Sequence, residues 1–348
     1  MTSAPPIART AAIVRGTRAS RLGGVLGAVI LLALVTMPWW GERADMHTVV
    51  EFLYMLALAE MWNLLAGFGG LVSIGQQAYV GIGGYMLVLL AMKLGVGPFI
   101  AVPLCGIITA IIAIPTAALV FRLRGAYFAV GTWVVAEVFR LTFANIIWLG
   151  AGTGTSLTSA MMGYSAWLRD SLALWIAIIL GVGSVMGIYW LLRSRLGLAL
   201  TAIRDSEVAS RSLGVDVRRV KFGVYIVSAF GCGMVGALVY LTKLRISPDA
   251  AFDINWTAIM IFTVVIGGIG TIEGPIIGCI VYFVLRDLLA DYGSWYLIAM
   301  GLIAIAVMVW ARRGLWGLLL ARTDLRFFPV QRRVVIEDEA GASKPVEG

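Results

Sequence analysis

The sequence predicts an all-α integral membrane protein of about ten transmembrane helices. Three observations predict it. First, 60% of its 348 residues are apolar and only 13% are charged, where soluble domains carry roughly 45–50% and 25%. Second, mean hydropathy is +0.93, which leaves too little polar surface to meet water on all sides. Third, apolar stretches near the roughly 20 residues that a bilayer-crossing helix needs recur along the whole chain.

The arm 1–21 carries Arg9, Arg15, Arg18 and Arg21 and leads into the run 22–40. That run has no small-residue cleavage site, so it reads as a retained first helix and not a removed signal peptide. Further runs fall at 47–66, 77–93, 97–121, 126–148, 171–192, 221–244, 256–266, 275–290 and 294–311. Pro103 and Pro115 lie inside the fourth run, which membrane helices tolerate. The transmembrane region is therefore 22–311, and 312–348 is a polar tail expected to be poorly ordered, like the N-terminal arm. Trp39, Trp40, Trp148, Trp190 and Trp310 stand near run ends, as an interfacial belt requires.

The net charge is +8, and 20 of the 27 Lys and Arg residues fall on one side if the first run starts inside. They are the four arginines before Leu22, Arg122 and Arg124, seven between Arg193 and Lys221, and seven after Trp310. Excess Lys and Arg marks cytoplasmic loops, so both termini are expected in the cytoplasm and nucleic acid is not the expected partner. Cys105, Cys232 and Cys279 lie far apart inside apolar runs and read as buried small side chains.

Two glycine-rich stretches break the pattern, Gly67 to Gly75 and Gly267 to Gly274. Gly67 and Gly70 precede Gly267 and Gly270 by 200 residues, which raises a possible internal repeat around a transport site. The even alternation of spans gives both stretches one orientation, so the symmetry stays open. Glu60, Asn63, Ser73, Gln76, Gln77 and Tyr79 gather around the first break. Unwound backbone there could hold a zwitterion, or these polar groups could simply bond neighbouring helices; both readings stay open. Glu137 and Arg140 are three apart on one helix and are expected to pair structurally. His47 stands at a span edge and is not expected to relay protons.

The segment 193–220 is too long for a simple turn. Its part Ala199–Leu213 predicts a short amphipathic helix, with Leu200, Ile203, Val208 and Leu213 as an apolar side and Gly214 as its stop. Asp205 and Glu207 balance Arg204 and Arg211, which favours a protein partner over an anionic lipid surface. The chain has no GxxxxGK[ST] run, and one histidine with no close cysteine or carboxylate pair leaves no catalytic or metal site.

The run Ala202-Ile-Arg-Asp-Ser-Glu-Val-Ala-Ser-Arg-Ser-Leu-Gly-Val-Asp216 resembles the coupling loop of LivM-type permeases of branched-chain amino acid ABC importers. Three other segments agree: Trp62-Asn-Leu-Leu-Ala-Gly-Phe-Gly-Gly-Leu-Val-Ser-Ile-Gly-Gln-Gln-Ala-Tyr79, Arg122-Leu-Arg-Gly-Ala-Tyr-Phe-Ala129, and Gly267-Gly-Ile-Gly-Thr-Ile-Glu-Gly-Pro-Ile-Ile-Gly278. The resemblance runs from about Phe52 to Trp310 and departs at Gln76-Gln77. It implies a multi-pass inner-membrane subunit that pairs with a second, LivH-type permease, two cytoplasmic ATPases and an external binding protein. It implies that Arg204, Asp205, Ser206, Glu207, Leu213 and Gly214 sit against an ATPase, that ATP is used there, and that this chain binds no cofactor. The pathway candidates are Asn63, Gly70, Ser73, Gln76, Gln77, Tyr79, Gly267 and Gly270. The expected cargo is leucine, isoleucine and valine, with urea, short amides or other amino acids as alternatives. A stand-alone transporter coupled through Glu60, Glu137 or Glu273 is a further alternative. A membrane-embedded enzyme or scaffold ranks last.

Overall fold

Each of the ten apolar stretches is occupied by a helix. A computed structural model describes residues 10–14, 18–289, 295–311, 314–323, 327–328, 333–337 and 343–345. The helices are α1 (Arg18–Thr36), α2 (Arg43–Asn63), α3 (Gln77–Val88), α4 (Pro98–Val120), α5 (Ala126–Ala144), α6 (Ala166–Arg193) and the short pair α7 (Arg195–Asp205) and α8 (Glu207–Ser212). They continue with α9 (Val217–Lys243), α10 (Pro248–Ala251), α11 (Ile254–Gly267), α12 (Glu273–Leu289), α13 (Trp295–Trp310) and α14 (Gly314–Thr323). Among the described residues, seven helical segments are long and apolar enough to cross a membrane; α1 and α3 are shorter apolar helices.

The chain is an all-α integral membrane protein. Its helix ends follow local chemistry. The side chains of Ser165, Asp216 and Asp253 accept hydrogen bonds from the first turns of α6, α9 and α11, which satisfies N–H groups that a helix leaves free. Wider π-helical turns at Leu64–Phe68 and Leu89–Lys93 carry α2 and α3 past their regular ends.

The centre is formed by α2, α3 and α9, with α4, α6, α11 and α12 packed around them. Small residues set the closest approach. A Cβ on Gly83 would lie 2.0 Å from the Gly233 carbonyl oxygen, and one on Gly236 would lie 2.0 Å from that of Val80. Membrane helices gain no hydrophobic drive from each other, so such backbone contact is their main packing resource. By contrast, α5 and α13 keep most of their surface uncovered. The five tryptophans near run ends are exposed.

The ends of the bundle can be told apart. The α7–α8 segment joins the end of α6 to the start of α9 and defines one face. At the other face, β2 (Thr155–Ser156) pairs with β3 (Arg245–Ile246), and the Trp175 and Trp167 indoles donate to the Val35 and Pro38 carbonyls. The helices from α2 to α3 and from α11 to α12 therefore turn at the same face, the one that carries α7 and α8. Both glycine breaks thus have the same direction, so they are not related as an inverted repeat. The terminal segments also meet, since β1 (Thr10–Val14) pairs antiparallel with β4 (Arg333–Glu337), itself paired with β5 (Ser343–Pro345). The stretch read as a polar tail opens with the apolar α14, which packs on α11 and α12. The rest of the N-terminal arm and residues 312–313, 324–326, 329–332, 338–342 and 346–348 of the tail lie outside the described residues.

Candidate functional site: a junction of two broken helices

The two breaks touch each other, and Asn63 joins them. This side chain is fully buried at the end of α2. Its Nδ2 donates to the Thr271 carbonyl at 2.8 Å, and its Oδ1 accepts from the Gly270 N–H at 2.8 Å. The contact is close because Gly67 lacks a side chain: a Cβ there would lie 2.6 Å from the Gly270 nitrogen. Gly270 and Gly70 take φ of +75° and +65°, backbone that residues with a Cβ adopt only under strain. Thr271 closes the second break, donating to the Gly268 carbonyl and accepting from the Gly274 N–H. Gly267 faces the Gly274 carbonyl oxygen, 1.8 Å from where a Cβ would stand.

Arg204 ties the surface segment to this junction. Its Nη1 donates to the Gly270 carbonyl at 3.3 Å, so the last turn of α7, the second break and the end of α2 form one hydrogen-bonded chain. Arg204, read from the sequence as facing a partner, spends one N–H on this carbonyl while the residue itself stays exposed.

The surface segment also differs from the single helix expected over Ala199–Leu213. Ser206 adopts extended backbone and its side chain accepts from Ala209 N–H, which ends α7 and starts α8. The expected apolar side divides accordingly. Leu200 and Ile203 are buried against the bundle, whereas Val208 and Leu213 are exposed. Asp205 and Gly214 are exposed as well. Glu207 pairs with Arg211 at 2.6 Å and with Lys221 at 2.8 Å, fastening α8 to the second turn of α9. The Lys221 ammonium, helped by Arg211, holds the Glu207 carboxyl below the usual carboxylate range.

The remaining polar candidates around the first break are internally bonded. Ser73 gives its carbonyl to the Trp62 indole. The Gln77 side-chain oxygen accepts from Thr257, and the Gln76 oxygen accepts from the Cys232 thiol at 3.6 Å. Tyr79 donates to Tyr225 at 2.6 Å and meets Thr116 at 2.9 Å. All four are buried within this one chain. They tie α3 to α2, α4, α9 and α11 and do not line an open surface. Neither carboxylate oxygen of the fully buried Glu60 has a hydrogen-bond partner among the described residues. His47 is exposed at the opposite face and borders a small cavity of about 30 Å³ with Arg169 and Asp170. Among the described residues no three His, Cys, Asp or Glu side chains gather as a metal site would need.

A family model for the permease component of branched-chain amino acid transport systems matches residues 43–311. The chain belongs to this family. The match covers every helix of the junction and both surface helices. Among curated relatives, this permease is 28% identical over 315 residues to the high-affinity branched-chain amino acid transport system permease protein LivM of Escherichia coli (strain K12), covering 83% of this chain and 74% of the relative. A probable LivH permease of Methanocaldococcus jannaschii is 23% identical over 288 residues, covering 77% of this chain and 89% of the relative. A fructose import permease protein, FruG of Bifidobacterium longum, is 28% identical over 144 residues, 39% of this chain and 42% of that one. No solved structure matches the chain. The permease is thus of the LivM type, and its relatives are transport permeases and not enzymes.

Proposed function

We propose that this permease is one of two channel-forming subunits of a binding-protein-dependent importer in a bacterial inner membrane, moving leucine, isoleucine and valine inward. Two separate ATPases hydrolyse the ATP, and one of them grips α7 and α8. The observation that carries the reading is the continuous bonding from Arg204 through Gly270 to Asn63 behind an exposed Val208–Leu213 surface. A rigid-body movement of a docked partner would reach both helix breaks without passing through a flexible link. The excess of Lys and Arg on the α7–α8 side supports a cytoplasmic location for that face and for both termini. The absence of a phosphate-cradling GxxxxGK[ST] run supports nucleotide use on other subunits. The LivM relatives support branched-chain amino acids as cargo, and the LivH relative supports a second permease.

Reconstitution tests this. The chain alone in liposomes hydrolyses no ATP and takes up no leucine, whereas the complex with partner permease, ATPases and binding protein does both. Uptake by the lone chain under a proton gradient would favour an ion-coupled carrier. Uptake of urea or short amides in preference to leucine by the full complex would move the cargo and leave the subunit role standing.

A further inference from the structure

One side of α5 is uncovered among the described residues. Tyr127, Val130, Trp133, Val134, Val138 and Leu141 recur every three to four residues and are all exposed, forming one stripe. In that stripe stands Glu137, its side chain 46% exposed. Its partner Arg140 donates through Nε and Nη2 to the Glu137 carboxylate and through Nη1 to Asp249, on the first turn of α10. Asp249 is 78% exposed. The structural pairing expected from the sequence is present, but it lies on the outside of the chain and reaches a second element.

Its place on the helix makes this unusual. At a rise of about 1.5 Å per residue, Glu137 lies about 10 Å along α5 from its outer end, and the cluster reaches that end through Asp249, which follows β3. Charged side chains within a span face a bundle interior or water, because hydrocarbon cannot solvate them. An ion pair buried in protein would be covered, and this one is open. Lipid against the same face would strip water from two carboxylates and one guanidinium together.

We propose that the outer part of the α5 face is a hydrated vestibule in which Glu137, Arg140 and Asp249 receive the head group of a zwitterionic amino acid. The proposal rests on the amino-acid import proposed above and deepens it. Two carboxylates with free acceptor edges suit an ammonium, and the unused N–H groups of Arg140 suit a carboxylate. Trp133, Val134, Val138 and Leu141 beside them offer apolar surface for an aliphatic tail. The facing wall is the second permease subunit, since this side of α5 has no cover among the described residues.

Cysteine accessibility in native membranes carrying the whole transporter tests it. The three natural cysteines are buried, so a membrane-impermeant charged thiol reagent added outside reads the introduced position. Glu137→Cys and Val134→Cys are expected to react, and saturating leucine is expected to slow the reaction of Val134→Cys, which keeps all three charged groups, about tenfold or more, while urea does not. Failure of both positions to react would place lipid or closed protein on this face and overturn the proposal. Reaction without leucine protection would make it a hydrated surface with no substrate role, and overturn it too. A second readout uses transport: Arg140→Gln is expected to lower leucine uptake roughly tenfold or more. The exchange of all three charges, Glu137→Arg, Arg140→Glu and Asp249→Arg, keeps opposite charges facing each other yet is not expected to rescue uptake; full rescue would mean the cluster is structural only. Leucine uptake by the unmutated complex is measured alongside, so a wrong cargo shows there and a wrong site shows only in the variants.

Discussion

Asn63→Ala is the most informative single change. It removes two hydrogen bonds of 2.8 Å each, one from Gly270 N–H and one to the Thr271 carbonyl. Leaving a buried polar group unpaired costs about 1–3 kcal/mol, while hydrogen bonds between membrane helices average only about 0.6 kcal/mol. Gly270 and Thr271 are half-buried, so water reaches them once the amide is gone. Because water replaces part of the lost bonding, the lower figure applies, and the expected loss for the two bonds together is about 1 kcal/mol, or roughly fivefold in any equilibrium that depends on the junction. The helices keep their other contacts, so the variant inserts and assembles. The assay is leucine uptake per ATP hydrolysed by the reconstituted complex, beside thermal unfolding of the purified chain. Asn63→Ala is expected to keep ATP hydrolysis but transport less per ATP, with a lower unfolding temperature. Wild-type coupling together with wild-type stability would show that the junction transmits nothing and would refute the reasoning.

Three other outcomes follow from the same contacts. Gly67→Leu places side-chain atoms where Gly270 backbone stands, and is expected to cost at least about 1–3 kcal/mol in thermal stability and to stop transport; Gly24→Leu, with open space around it, is the control. Val208→Asp with Leu213→Asp removes exposed apolar surface that nothing among the described residues covers, so folding is expected to be unchanged while co-purification of ATPase falls sharply. Because the folded Glu207 carboxyl titrates below its usual range, its pairing with Lys221 stabilises α8 above the unfolded value of about 4.3 and is lost as pH falls through the folded value. At 40% exposure the gain is that of a surface pair, about 0.2–1 kcal/mol, and hydrogen exchange in α8 is expected to rise only at acid pH.

The helices were legible because lipid imposes a length and a composition on each one. The apolar run 97–121 and α4, Pro98–Val120, agree almost to the residue, and both glycine breaks stand where the sequence places them. The partners were not legible. Asn63 and Gly270 lie 207 residues apart, and neither periodicity nor composition reports a contact between two loops. The same limit applies to Gln76, Gln77 and Tyr79: a polar side chain in an apolar run signals that it must be satisfied, not by whom. Thr257, Cys232 and Tyr225 bond them from other helices, although the Gln76 Nε2 has no partner among the described residues. The division of α7 from α8 had a local signal, Ser206 followed by an acidic residue at the start of a helix, but the apolar spacing across it suggested one continuous face. The reach of Arg204 to the Gly270 carbonyl had no signal, since an arginine on a short helix serves a partner or a backbone carbonyl equally well.

We propose that α7 and α8 hold a motor subunit in the cytoplasm and pass its movement to the helix breaks. A photo-reactive residue at Val208, activated in native membranes, tests it most directly. An adduct between this permease and an ATPase subunit, with yield that changes between ATP-bound and nucleotide-free states, is the expected result. Adducts with external proteins alone, or labelling of the same position by an impermeant reagent from outside, would contradict it.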